Sequence, residues 1–360
     1  MKSNLKIFLV LVVVTMITGI IFIIQKSSKG DLSSNVQADF SIPDTSLVDK
    51  IFIADNQGGE ALLERSVDTS FWKLNGEFLA RKDATDLLLK TFSRIEVKGP
   101  VNEKMRGTVI RNLAGSAKKV EIYQGGDKPV KTWYVGTATP SHSGTYMLLE
   151  TPGLGISSEP FVVSLKGSIG FLTTRFFTDI NEWRYTGVFD FPGRSLAEVT
   201  VIHHDTPYHS YTIKSNRNGG VSLENGAGAL LSIQDTLKVQ DQFLRFRKVH
   251  FESYNNHLTE SGQESIRKAS PAFTIIVKGF DGESSSFDLF WKQNESGPDE
   301  EYMYGLTTAG DIVLVQRYVF DPLIEVLSEQ GSKGDLSSNV QADVSIPDTT
   351  LVPKIFIVDN

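Results

Sequence analysis

The stretch Ser28–Asn56 returns as Ser332–Asn360, and only Phe40/Val344, Ser46/Thr350, Asp49/Pro353 and Ala54/Val358 differ between the two copies. Each copy contains a β-branched, apolar run, Val48–Ala54 in the first and Val352–Val358 in the second. Side chains alternate across a strand, so Ile51 and Ile53 share one face while Val48, Phe52 and Ala54 share the other. Both faces are apolar, which is the pattern of a strand covered on both sides. Ile355 and Ile357, with Val352, Phe356 and Val358, reproduce both faces. The chain therefore carries two candidates for one place in a sheet. The second copy is expected to fill the same slot, to pair at a free sheet edge of its own or a neighbouring molecule, or to remain a tail. Strand pairing through Ile51, Ile53, Ile355 and Ile357 would give self-association. Pro353 in place of Asp49 removes a backbone donor, which suits an edge or a strand start.

A second constraint precedes the first copy. Ile7–Ile24 is an unbroken apolar run apart from Thr15, Thr18 and Gly19. As a helix it spans roughly 27 Å, about the hydrocarbon thickness of a bilayer. It is longer than the apolar core of a cleavable signal peptide and lacks a small-x-small exit, so it reads as an uncleaved signal anchor. Lys2 and Lys6 precede it and Lys26 and Lys29 follow, so flanking charge is nearly balanced. The orientation then rests on the long following region, which translocates regardless of its own charge. The expected location is the inner membrane, single-pass, with the ectodomain in the periplasm.

A chain of 360 residues with 40% hydrophobic content can bury one large core or two modest ones. Its formal charge is −7 with acids and bases interleaved, so no face is basic enough to bind nucleic acid. The absence of cysteine excludes a disulfide framework, a thiolate metal site, a cysteine nucleophile and an acylated lipoprotein cysteine. No cofactor is expected.

Residues 1–26 read as the anchor and 27–47 as a polar tether. Val48–Asp55, the turn at Gln57-Gly58-Gly59 and Ala61–Arg65 form a hairpin, and Phe71–Leu74 a further strand. Ala84, Leu87, Leu88, Thr91, Phe92 and Ile95 recur at helical spacing, with Asp83 as the cap. Thr108–Leu113 follows as a short helix, then strands at Val120/Ile122, Thr132–Val135, Thr145–Leu149 and Phe161–Leu165. The order restarts with Val199–Ile202, Tyr211–Lys214, a helix over Leu237–Arg247, and strands at Phe273–Val277, Phe287–Trp291, Tyr302–Leu306 and Ile312–Val315. The expected fold class is α+β: an N-terminal transmembrane helix, then two similar lobes of antiparallel sheet with packed helices, an internal duplication. The lobes take 48–185 and 186–330, and 331–360 is the near-copy.

Several of these strings resemble the DUF4340 family as it occurs in Bacteroidetes. They are Val48–Ile53, Phe71-Trp72-Lys73-Leu74, the Leu87–Ile95 helix, Gly144-Thr145-Tyr146-Met147, Pro160–Val163 before Gly170–Thr173, Trp183-Arg184, and Gly305-Leu306-Thr307 followed by Leu314-Val315-Gln316. The resemblance covers Val48–Leu327, and its motifs are strand ends, turns and core aromatics. It implies a membrane-anchored protein on the outer side of the inner membrane, in some relatives alongside auxiliary subunits of ABC-type and gliding-associated transporters. The Ser332–Asn360 copy departs from the family pattern.

Chemistry-bearing residues are sparse. His203, Asp205 and His209 surround a hairpin at Asp205-Thr206-Pro207, and imidazoles plus a carboxylate suit zinc. A solvated hairpin tip is the plainer alternative. His142 lies between Ser141 and Ser143 without a nucleophile elbow around either serine. Asp299, Glu300 and Glu301 read as a solvated acidic loop, and Gly58-Gly59 and Gly219-Gly220 as turns. Trp72, Trp133, Trp183 and Trp291 read as core, and Arg245–Lys248 as a short basic helix end. The expected function is extracytoplasmic binding or scaffolding within an envelope assembly, possessing no enzymatic centre. The rival is a metal-dependent hydrolase built on the His203–His209 hairpin.

Overall fold

The computed structural model describes residues 38–327 apart from 67–70, 194 and 234. The apolar run Ile7–Ile24 and the copy Ser332–Asn360 lie outside the described residues.

Strands dominate. The first half holds β1 (Lys50–Ala54), β2 (Glu60–Arg65), β3 (Trp72–Leu74), β4 (Phe78–Leu79), α1 (Lys82–Arg94), β5 (Ile95–Pro100) and α2 (Glu103–Ser116). It continues with β6 (Lys118–Tyr123), β7 (Lys131–Ala138), β8 (Thr145–Thr151), β9 (Gly155–Ile156) and β10 (Phe161–Leu165). These strands make one ten-stranded sheet, ordered β4-β3-β2-β1-β6-β7-β8-β10-β5 with β9 on β8. The second half holds β11 (Gly187–Asp190), β12 (Leu196–His203), β13 (Tyr211–Ser215), β14 (Val221–Asn225), α3 (Thr236–Arg245), β15 (Lys248–His250) and α4 (Glu260–Lys268). After these come β16 (Phe273–Gly279), β17 (Ser284–Asn294), β18 (Gly297–Leu306), β19 (Ile312–Gln316) and α5 (Arg317–Phe320). Here a seven-stranded sheet runs β14-β13-β12-β16-β17-β18-β19, and β11 pairs β15 in a separate ribbon. The path β3-β2-β1-β6-β7-β8-β10 of the larger sheet and that of the seven-stranded sheet follow the same sequence of steps.

The expected α+β class is corrected, while the expected membrane helix falls outside the described residues. Of the described residues 39% are strand, arranged in three sheets, and 23% are helix. Among the described residues no helix is long and apolar enough to cross a membrane. The difference comes from six strands that the apolar pattern did not reveal: β4, β5, β9, β11, β14 and β15. All are short and most lie at sheet margins, where partners supply hydrogen bonds but few apolar neighbours, so alternation is weak. Two local readings also change. The N-cap of α1 is Arg81, which makes no side-chain cap, while Asp83 lies in the first turn and pairs with the Arg81 guanidinium. Asp299, Glu300 and Glu301 belong to β18 rather than to a loop.

The larger sheet is covered on both faces. On one side α1 contributes Ala84, Leu88, Thr91 and Phe92 to a core centred on Trp133. Phe92 meets the Trp133 ring edge-on at 5.1 Å, with Phe40 and Phe176 at 6.2 and 6.3 Å. On the other side Val109 and Leu113 of α2 form a smaller cluster with Val101, packed on Tyr146, Leu148 and Val162. The second core gathers Val199, Val201, Ile275, Val277, Phe287, Leu289 and Val313 with Val239 and Phe243 of α3. Gln242 of α3 is buried among these and satisfies its amide on the Tyr211 hydroxyl and the Pro322 carbonyl.

Part of the stretch read as a tether is structural. Phe40 is 1% exposed, its ring also 6.0 Å from Phe161, and the Ile42 N–H bonds the Phe92 carbonyl at 2.9 Å. Truncating a buried aromatic loses its transfer free energy and leaves a cavity. Phe40→Val is therefore expected to cost about 2 kcal/mol in urea unfolding. A loss under about 0.5 kcal/mol would mean that Phe40 is dispensable to the core.

Candidate functional site

The two sheets meet where the chain passes between them. Trp183–Tyr185 runs antiparallel to the outer edge of β4: the Arg81 N–H bonds the Trp183 carbonyl at 2.7 Å and the Tyr185 N–H bonds the Leu79 carbonyl at 2.8 Å. This pairing aims Arg184 into the joint. Its guanidinium lies 4.3 Å from the Phe78 ring centroid and 3.7 Å from that of Tyr254, and bonds Asp311 at 3.0 Å. A guanidinium stacks on rings and forks onto a carboxylate at once, which a lysine cannot do. The Tyr254 hydroxyl returns to the Tyr185 carbonyl at 2.9 Å. Asn255 links Asn181 and Glu182 across the same seam.

Beside this joint opens a cleft of about 430 Å³. Its walls come from Phe71 and Arg81–Asp83 on the first side, Tyr185, Thr186 and Asp190 on the connection, and Lys248, His250, Phe251 and Glu252 on the second. Tyr185 is the centre of an aromatic row, edge-on to Phe71 at 5.2 Å and to His250 at 5.4 Å. The Tyr185 hydroxyl donates to Asp190 at 3.0 Å. Burial, and then this carboxylate, push its pKa up to about 12, so it stays a phenol. His250 Nδ1 lies 3.3 Å from the Thr186 hydroxyl. Burial and the nearby Lys248 push its pKa below the ordinary histidine value, against the pull of Asp190 and Asp83. At Asp83 burial works upward, but the Arg81 guanidinium overcomes it and leaves the carboxyl below its usual range. Asp190 and Lys248 are opposite each other in the β11–β15 register, and neither forms an ion pair among the described residues.

Scans against protein-family models, curated proteins and solved structures returned no match.

The sequence candidates fall elsewhere. His203 ends β12 and is buried, its ring 5.1 Å from Phe273 and 6.0 Å from His209, with Nε2 left without a partner. Asp205 does not join them: with His204 it lines a separate depression beside Ser265, Ile266, Ala269 and Trp291. Adjacent residues of a strand point to opposite faces, which is why His203 and His204 part company. Among the described residues no three metal-ligating side chains converge. The His142 ring packs on Phe171 at 5.7 Å, while Ser141 and Ser143 bond each other at 2.8 Å. The Lys292 ammonium, with the N–H groups of Glu301 and Tyr302, holds Asp299 at a pKa of about 2, so it carries no proton near neutrality. Trp72, Trp133 and Trp183 are buried in the first core, whereas Trp291 borders the open depression. Ile51 and Ile53 are fully buried between β2 and β6, while Phe52 on the opposite face is only half-buried. Ile355 and Ile357 lie outside the described residues.

The buried imidazoles make stability depend on pH. His203 is pushed down by burial and by His209, as His250 is by burial and Lys248. In the unfolded chain both titrate near 6.5. Between that value and the lower folded one, the unfolded chain binds more protons, so stability falls as pH falls. Urea midpoints are expected to drop from pH 7 to pH 5, and His203→Leu with His250→Leu together should flatten the drop. An unchanged slope in the double variant would contradict the assignment.

Proposed function

We propose that the chain is an extracytoplasmic binding protein of the cell envelope, and that its ligand occupies the cleft beside Arg184. The observation that carries this reading is the composition of the cleft wall. An ammonium at Lys248 and a carboxylate at Asp190 face the same space unpaired with each other, over the row Phe71–Tyr185–His250. Ligand sites favour such junctions, and the wall of this one is mainly charged and polar, which suits a charged ligand. A small zwitterion, an amino acid or short peptide, matches that wall: its carboxylate meets Lys248, its ammonium meets Asp190, and its side chain lies against the rings.

The proposed setting follows from the sequence. Ile7–Ile24 supports a single-pass anchor in the inner membrane, with the described body in the periplasm. The resemblance to the DUF4340 family supports a place in an envelope assembly beside an ABC-type or gliding-associated transporter. A hydrolase on the hairpin has only the His203–His209 pair to draw on, because Asp205 lines a different depression.

The test is thermal unfolding of the protein with millimolar amino acids, di- and tripeptides, dicarboxylates and sugars. A ligand at about a hundred times its Kd adds about 2.7 kcal/mol, a rise in Tm on the order of 5 °C. Zwitterions are expected to give that rise in the native chain and not in Lys248→Glu. No rise with any zwitterion, or an equal rise in the variant, would contradict the proposal.

A further inference from the structure

β1 is an interior strand. It is paired along its length on both sides, Ile51 opposite Leu63 and Ile122, and Ile53 opposite Ala61 and Val120. The segment leading into it is part of the same unit. Phe40, Ile42, Val48, Ile51 and Ile53 all enter the first core. The C-terminal copy places Val344, Ile346, Val352, Ile355 and Ile357 at the same spacing. Every core position of the segment thus has an apolar counterpart in one register. Polar anchors are matched as well. Asp44 accepts from the Ser46 N–H at 3.0 Å, and the copy has Asp348 and Thr350. The Lys50 ammonium lies 4.2 Å from the Tyr123 ring centroid, and the copy has Lys354.

We propose that the slot between β2 and β6 has two occupants encoded in one chain, and that Val344–Val358 enters it as a replacement strand when Phe40–Ala54 leaves. Each chain offers one slot and two fitting strands, so one strand is surplus in any oligomer. Two of the four differences and the connectivity rank the two. Phe40 fills a place between Trp133 and Phe161 that Val344 cannot fill. The Asp49 N–H bonds the Tyr123 carbonyl at 3.2 Å and its carboxylate accepts from the Gly125 N–H at 3.0 Å. Pro353 supplies neither group. The Asp49 carbonyl, which accepts from the Arg65 N–H at 2.8 Å, is the one bond of this set that Pro353 keeps. Finally, β1 is joined to β2 by the short turn Asp55–Gly59, which holds it at a high effective concentration. The N-terminal copy therefore holds the slot, and the C-terminal copy is its reserve. From Leu327, residues 328–343 reach up to roughly 50 Å when extended, which serves either the same body or a second copy.

Cysteine trapping tests this cleanly because the chain has no cysteine of its own. Phe52 and Glu121 are opposite each other in the β1–β6 register, and Phe356 is the counterpart of Phe52. In the full chain, Phe52→Cys with Glu121→Cys is expected to crosslink readily on oxidation and serves as the register control. Phe356→Cys with Glu121→Cys should crosslink at least tenfold less while β1 is intact. Adding Ile51→Asp and Ile53→Asp to that second pair should raise its crosslinking at least tenfold, within one chain or between two copies. The weakened chain should also keep a cooperative melt, and lose it when Gly331–Asn360 is deleted. Three results overturn the proposal: no crosslink at Phe356→Cys after β1 is weakened, a weakened chain that melts identically with and without Gly331–Asn360, or strong crosslinking of the reserve strand while β1 is intact.

Discussion

Arg184 carries a full charge into the seam between two sheets, where its side chain is 15% exposed. Removing a guanidinium from water is costly unless stacking and an opposed carboxylate compensate. The Phe78 ring on one side, Tyr254 on the other and Asp311 at its end supply that compensation, although its Nε remains without a partner. Each comes from a different stretch of chain, so the charge is satisfied only when both halves are folded and in register. The same pairing that aims Arg184 also covers the outer edge of β4, a strand too short to protect itself. What would be an open edge becomes the path into the second half. Tyr185 and Thr186 leave this pairing directly into the cleft, and their placement there depends on it.

Much of the first core was legible because it obeys simple periods. The alternation of Ile51 and Ile53, the run Phe161–Leu165 and the helical spacing of Leu88 and Phe92 each report a buried face. What escaped was set by partners distant in sequence. β5 reads as a continuation of α1, since Ile95 extends the helical spacing, yet β10 draws it into the sheet. Asp83 reads as a cap, but Arg81 beside it supplies a guanidinium that the carboxylate prefers. The stretch before β1 reads as a tether because Ser, Asn and Asp dominate it, with Phe40 and Ile42 as the buried apolar residues among them.

The candidate site was illegible for a stronger reason. Four separate stretches contribute to the cleft wall, each with one to four residues and none with a recognisable spacing. His203, Asp205 and His209 carried the denser local signal, yet Asp205 lies in the turn after β12 and lines a different depression, while the His203 and His209 rings stay 6.0 Å apart. Local density of ligand-type residues predicts a site only when the backbone turns them the same way. Conversely, the aromatic row Phe71–Tyr185–His250 has no sequence signature and arises wholly from the joint.

Everything proposed for the cleft requires that the halves hold one relative position, fixed at Arg184. Nitroxide labels on Lys90→Cys in α1 and Lys268→Cys in α4 lie on exposed positions of the two halves, and no native cysteine competes with them. Pulsed dipolar spectroscopy is expected to give one narrow distance distribution in this pair and a broadened one after Arg184→Ala. A broad distribution with Arg184 in place, or no change on its removal, would contradict a joint held by that side chain.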